Sequence, residues 1–248
     1  MTPRQLGEGL SRYGTIVKTI SRNLRRKKFE SEVSALGQFV HEGSVCVDVG
    51  SGYGRYAFVL SGLCGASGHV YCFEPGAYSL SVLSAVTCFH GLKNVEVCRQ
   101  ALSSKSGEAR LVVPVKNGGK IAPSLAHLAS GVDTADRGQN AVAVTTLDAF
   151  LAKKRPARVD FIKCDVEGAE LAVFEGSADT LARFRPAVLC EIYRGHLEKF
   201  GATPAQLFNF FRHRGYRAAL YEDGKLTTKD AFDKDHNYFF IPISTQAT

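Results

Sequence analysis

Residues 45–54 read Val-Cys-Val-Asp-Val-Gly-Ser-Gly-Tyr-Gly, and a second short apolar run, Val70–Phe73, ends at Glu74 in Phe-Glu-Pro. An apolar run with valine at 45, 47 and 49 that stops in three glycines and passes into the helical pattern of Arg55–Leu63 reads as strand, tight turn and helix. The acid that ends the second run lies 26 positions after Asp48. This order constrains the chain to a strand–turn–helix–strand unit of the kind that binds an adenosine cofactor. The glycines let the backbone approach the ligand, and the acid on the second strand accepts from the ribose hydroxyls.

The turn also discriminates between cofactors. A pyrophosphate-binding turn asks for G-x-G-x-x-G/A. Counted from Gly50, the sixth position is Arg55, and the third glycine comes early, at Gly54. Asp48 stands where a dinucleotide would place its phosphates, which is unfavourable for two negative charges. S-adenosylmethionine carries a sulfonium and an ammonium and no phosphate, so an acid there stabilises it. Asp48, Gly50, Gly52, Gly54 and Glu74 are therefore candidate S-adenosylmethionine-binding residues. An NAD-dependent oxidoreductase is the alternative enzyme, and a non-catalytic nucleotide- or RNA-binding module the alternative of another class.

Length and composition agree with one large α/β domain carrying short additions: 248 residues, 45% hydrophobic and 22% charged. No apolar stretch approaches the roughly 18 residues that span a bilayer, and the basic N-terminus is not followed by the apolar core of a secretory signal. The cysteines are odd in number, seven, and none has the C-x-x-C spacing of a zinc site. Five of them (Cys46, Cys72, Cys98, Cys164, Cys190) fall in expected core strands, which points to reduced thiols in a cytoplasmic protein. Residues 1–30 hold eight Lys/Arg against two acids, nearly the whole of the net +7. A nucleic-acid enzyme spreads its basic charge over the active-site face, so nucleic acid is disfavoured as a partner.

Along the chain, Leu6, Leu10, Tyr13, Val17, Ile20 and Leu24 recur at helical spacing, predicting a helix over Arg4–Lys28 despite Gly7, Gly9 and Gly14. A second helix is expected over Phe29–His41. Residues 1–43 thus form a basic helical extension: a lid, an oligomer contact that makes a homodimer, or a peripheral membrane-surface element. From residue 44 to 248 strands are expected near 44–49, 69–74, 94–99, 159–164 and 186–192, and helices near 54–66, 77–91, 169–183 and 203–215. That alternation is a doubly wound, Rossmann-like sheet with helices on both faces. Further strands are expected at Ala109–Pro114 and Ala141–Thr146, around a Gly/Ser/Ala-rich segment, Lys116–Asn140, expected to be a substrate-facing loop. Tyr216–Tyr221, a Glu222-Asp223-Gly224 turn and Asn237–Ile243 predict a closing antiparallel hairpin.

Chemistry concentrates a second time in Lys163-Cys-Asp-Val-Glu-Gly-Ala-Glu170. Asp165 and Glu191 each end a neighbouring expected strand, as Asp48 does, and in an open α/β sheet ligands bind outside those ends. Glu170 suits a helix N-terminus as a capping carboxylate. Taken with Thr146-Leu147-Asp148, Ala101-Leu102-Ser103 and Cys190-Glu-Ile, these strings resemble the FkbM family of S-adenosylmethionine-dependent methyltransferases over roughly residues 40–243. The resemblance implies O-methylation of a hydroxyl on a sugar, glycoconjugate or secondary metabolite, and adds Pro75 and Ala101 to the cofactor-binding set. The Asn/Asp-Pro-Pro-Tyr/Phe string of base N-methyltransferases is missing at Asp165-Val-Glu-Gly.

A hydroxyl becomes nucleophilic when its proton is taken by a general base or when a divalent metal such as magnesium lowers its pKa. Asp165 with Glu191 could serve either route. His196 is a further base candidate.

Overall fold

The structure is a computed structural model that describes residues 3–26, 29–113, 115–116, 120–121, 127–129 and 140–243. Helix α1 (Pro3–Arg25) leads into a 3-10 segment, Ser31–Gln38. The βαβ rhythm then begins with β1 (Val45–Val49), α2 (Arg55–Cys64), β2 (His69–Phe73), α3 (Ala77–His90) and β3 (Val95–Cys98). A set of short strands follows: β4 (Ala101–Leu102), β5 (Gly107–Val112), β6 (Val115–Lys116), β7 (Lys120–Ile121), β8 (His127–Leu128) and β9 (Asn140–Thr145). The chain returns through α4 (Leu147–Lys154), β10 (Phe161–Cys164), α5 (Glu170–Glu175), α6 (Ala178–Phe184) and β11 (Ala187–Ile192). It closes with α7 (Arg194–Lys199), α8 (Pro204–Arg212), β12 (Tyr216–Glu222), β13 (Lys225–Lys229) and β14 (His236–Pro242).

The main sheet has the order β13-β12-β14-β11-β10-β1-β2-β3. β3, β2, β1, β10 and β11 run parallel, whereas β14 and β12 are antiparallel additions. After β1 the chain first builds outward through β2 and β3, then returns to build through β10 on the other side. The strand order therefore reverses between β1 and β10, and a crevice opens there at the carboxyl ends of the strands.

Alternation along the strands feeds two cores. Val47, Val49, Ile162, Cys164, Val188 and Cys190 face a layer that includes Leu147, Val173, Phe174, Leu207 and Phe211 of α4, α5 and α8. Cys46, Phe161, Val70 and Leu189 face Leu36 and Val40 of the N-terminal segment with Ala57 and Leu60 of α2. Helices thus cover both faces, as the sequence predicts. Helix α1 packs on α3: Leu24 is buried with Val82 and Val86, with Val17 and Ile20 against them. The side chains of Leu6, Leu10 and Tyr13 lie outside the described residues.

Several elements differ from expectation. The second helix is a 3-10 segment of eight residues; its ends are fixed by Phe39, stacked on Phe161 and Phe239, and by Glu32, bonded to Asn237. The helix expected over 169–183 breaks at Gly176, where a Cβ would fall 2.1 Å from the Ser103 carbonyl oxygen. The Asp148 carboxylate accepts from the Asp179 and Thr180 amides and starts α6 afresh. The Glu222–Gly224 turn closes on β13, a strand the sequence reading missed, while β14 inserts between β11 and β12. β5 and β9 pair with β4 and β8 in a separate four-stranded sheet. Of the expected loop Lys116–Asn140, residues 117–119, 122–126 and 130–139 lie outside the described residues. His127–Leu128 pair with Leu111–Val112. Among the described residues no helix is long and apolar enough to cross a membrane.

Candidate active site

The crevice at the reversal is a cleft of about 530 Å³. Its β1–β2 wall is shaped by backbone. Gly50 has φ +76°, and a Cβ there would lie 1.8 Å from the Asp165 carbonyl oxygen, so only glycine fits. The Gly50 and Ser51 amides donate to the Phe73 carbonyl (both 3.0 Å), and the Asp165 amide donates to Val49 (3.0 Å), tying three strand ends together. Glu74 accepts the Gly52 amide on Oε2 (2.9 Å) and the Gly76 amide on Oε1 (2.8 Å). Each oxygen keeps a further lone pair for a ligand hydroxyl. Burial pushes Glu74 up to about 7, against the pull of those two amides.

Asp48 is 1% exposed, and its Oδ2 has no hydrogen-bond partner. Burial raises its carboxyl to about 7, opposed chiefly by the charge of Lys163, its register partner on β10. A buried acceptor left without a donor costs free energy, and a cationic ligand in the cleft would offset that cost. Of the cofactor candidates, Asp48, Gly50, Gly52, Glu74, Pro75 and Ala101 line the cleft. Gly54 does not: with φ +86° it caps α2 and packs against Leu83, where a Cβ would come within 2.7 Å of Cδ1.

The β10–β11 wall is built from side chains. Asp165 lines the cleft. Glu191 stands behind it rather than on the wall, one position inside β11 and paired in register with Asn237. Burial raises Glu191 to about 9, with the charge of Asp165 and a hydrogen bond to it adding to the rise. Burial and the neighbouring Asp165 charge thus favour the protonated form of Glu191, which can donate to Asp165. Lys163, 2% exposed, places Nζ 3.6 Å from Asp165 Oδ2 and 3.3 Å from Asn237 Oδ1.

The turn after β10 is held from beneath. Buried Glu170 accepts the Val166 and Gly168 amides, both at 3.1 Å, so its carboxylate caps the turn, as expected of an acid at a helix start. Burial raises Glu170 to about 7 against the pull of its amide donors. Glu167 adopts φ +58°, unusual for a residue with a side chain, and lines the cleft. His196 lies in α7, not on the cleft wall; its Nδ1 is 3.0 Å from Glu167 Oε2, and burial lowers its pKa.

Sequence reasoning missed Lys163, Glu30, Tyr56 and Glu167 as cleft residues. A lysine inside the apolar run Phe161–Cys164 was a readable signal, because a charge in a core strand has to be paired. Glu30 carries no such mark; it bonds the Tyr56 hydroxyl (2.8 Å) and Arg55 (2.7 Å) across the mouth. Among the described residues no group of three or more His, Cys, Asp or Glu is placed to hold a metal ion.

A family model for the methyltransferase FkbM domain matches residues 48–218. The chain belongs to this family. An FkbM methyltransferase from Methylobacillus flagellatus KT shares the fold with a TM-score of 0.53 at 16% identity, over 80% of this chain and 44% of that one. This chain therefore spans less than half the length of that relative. A SAM-dependent methyltransferase from Aquifex aeolicus (TM-score 0.46, 17% identity, 89% of this chain and 98% of that one) is also similar. So is a SAM-dependent O-methyltransferase from Thermotoga maritima (0.47, 12%, 92% and 72%). No curated protein gives a significant match. Membership of this family accords with the S-adenosylmethionine reading of the glycine turn rather than with NAD.

Proposed function

We propose that this FkbM-family methyltransferase uses S-adenosylmethionine to methylate a hydroxyl of a sugar, glycoconjugate or secondary metabolite, with Asp165 as the general base. The observation that carries this reading is the placement of Asp165 on the cleft wall, paired with Lys163 at 3.6 Å and next to Glu191. An amine acceptor needs no such base once neutral, whereas a hydroxyl does. The family assignment and the fit of the β1–β2 wall to a cationic adenosine cofactor support the rest.

Asp48, with its orphaned Oδ2, would face the cationic end of the cofactor, and Glu74 would accept from the ribose hydroxyls beside Pro75 and Ala101. The cofactor supplies an electrophilic methyl group on its sulfonium. The protein's part is to hold the acceptor oxygen in line with that methyl, which is worth several kcal/mol of barrier in well-oriented systems (on the order of 7). Asp165 then takes the hydroxyl proton as the oxygen attacks. Glu167, with His196 behind it, forms an acid–imidazole pair on the same wall. All seven cysteines are free thiols, which supports a cytoplasmic setting. Packing of α1 on α3 supports an extension that belongs to the domain body, with the dimer and membrane contacts as the alternatives for its exposed basic face.

The test is release of S-adenosylhomocysteine from S-adenosylmethionine with a panel of glycosides and hydroxylated metabolites, with and without EDTA. Asp165→Asn is expected to lower kcat by about 10²–10⁴ while calorimetric cofactor affinity holds. A variant with unchanged turnover removes Asp165 from the role of base. Loss of activity in EDTA with recovery in magnesium replaces the base by a metal.

A further inference from the structure

Lys163 has no counterpart elsewhere in the sheet: an ammonium inside a core strand, 2% exposed, flanked by fully buried Ile162 and Cys164. Several charged and polar groups surround it, the Glu167 carboxylate of the turn after β10 among them. Asp48 stands opposite on β1, Asp165 follows on its own strand, and Glu191 lies on β11. The Tyr56 ring of α2 lies 5.2 Å from Nζ, and Asn237 of β14 accepts from it at 3.3 Å. Cys164 offers its carbonyl at 3.4 Å, and the Cys164 and Cys190 thiols are close by. Burial works against its charge, but Asp165 and Glu191 outweigh that and hold the ammonium above the ordinary lysine range.

The hold on Lys163 reaches well beyond the active-site motif. Asn237 turns its Oδ1 to the ammonium and its Nδ2 to Glu32 Oε1, at 3.2 Å. Reversing the amide would set NH₂ against NH₃⁺ and oxygen against carboxylate, so the chemistry fixes its orientation. The same Glu32 oxygen is 3.2 Å from His236 Nδ1, and Glu32 itself is buried. Glu32, His236 and Asn237 all lie outside residues 48–218, the span the family model matches.

We infer that Lys163, clamped by the Glu32–Asn237 pair, is a positioning residue that orients the Asp165 carboxylate on the cleft wall through their ion pair. The inference rests on the reading of Asp165 as the base. A lysine free to rotate would give Asp165 a diffuse counter-charge. Held by Asn237, it fixes where Oδ2 sits and leaves the carboxylate's remaining lone pairs to Glu191 and the cleft.

The experiment is a ¹³C NMR titration of protein labelled at its Asp and Glu side-chain carboxyl carbons, assigned with Asp165→Asn and Glu191→Gln. Wild type is compared with Lys163→Met and Asn237→Leu. Loss of the ammonium should move the lower titration of the coupled Asp165–Glu191 pair to higher pH by about 1–3 units, the scale for removing an opposite charge at this distance. Asn237→Leu should move it the same way by less. Turnover should fall by about 10²-fold in Lys163→Met, and in Asn237→Leu, which keeps the ammonium beside Asp48, it should fall without weaker S-adenosylmethionine binding by calorimetry, a split that general damage to the fold would not produce. If Lys163→Met does not fold, Asn237→Leu carries the test. An unmoved titration in the folded variants overturns the inference. Failure of the wild type to bind S-adenosylmethionine overturns the proposed function instead, and the titration still reports on the clamp.

Discussion

On the β1–β2 wall of the cleft, glycine backbone shapes the surface and two carboxylates, Asp48 and Glu74, face the cavity, and the bonds that shape it are short in sequence. Glu74 holds Gly52 and Gly76, 22 and 2 residues away. On the β10–β11 wall the surface is side chains fixed by bonds that leap along the chain: Lys163 to Asn237 over 74 residues, Asn237 to Glu32 over 205. The first wall suits a cofactor that many enzymes share, since backbone geometry changes little when side chains vary. The second is where the proposed reaction would choose and deprotonate its acceptor, a task for side chains rather than backbone.

Breaking the backbone wall should have the largest effect. Gly50→Ala adds a Cβ 1.8 Å from the Asp165 carbonyl at a φ of +76°. The strain and overpacking together should cost on the order of 3 kcal/mol and abolish cofactor binding, read by thermal melting and calorimetry. A variant that melts and binds like wild type would show that the two walls are not in contact at this point. Glu74→Ala should weaken S-adenosylmethionine binding by about 1–3 kcal/mol, the scale for unmade charge-assisted hydrogen bonds, and leave Glu191 titrating as before. The smallest effect sharpens the contrast from outside the cleft. Asp148→Ala removes the carboxylate that starts α6, and should cost about 1 kcal/mol of stability with cofactor affinity intact. A change in affinity would mean that the Thr146-Leu147-Asp148 string serves the site directly rather than the scaffold.

The same contrast explains what the sequence allowed to be read. Gly50, Gly52 and Glu74 were legible because one turn and the next strand end contain the whole device, and β1, β2, β10 and β11 were legible from apolar alternation. Asp165 was legible as an acid at a strand end. Glu191 shares the strand-end signal, but it stands one position inside β11 and off the cleft lining. The sequence offers His196 as a base candidate, and α7 places it against Glu167 of the cleft wall. No local pattern pairs Glu32 with Asn237 or Glu30 with Tyr56, since those contacts exist only once the termini fold back over the sheet. β13 escaped notice because its alternation, Lys225-Leu-Thr-Thr-Lys, is that of an exposed edge, guarded by lysines.

Titration ties the two walls to pH. Asp48, Glu74 and Glu170 are raised to about 7, so the folded protein holds protons that the unfolded chain releases near pH 4. Stability of the free protein therefore falls as pH rises from about 4 to 7, and a bound cation would oppose that loss by favouring the carboxylates.

Calorimetric titration of the wild type with S-adenosylmethionine between pH 5 and 8, with NAD as control, tests the central claim most directly. Binding that is tight at pH 8 and weakens below about pH 7, by up to about tenfold per pH unit for each proton released from Asp48 or Glu74, with no binding of NAD, is the predicted result. Absence of S-adenosylmethionine binding at every pH, or equal affinity for NAD, would contradict the account.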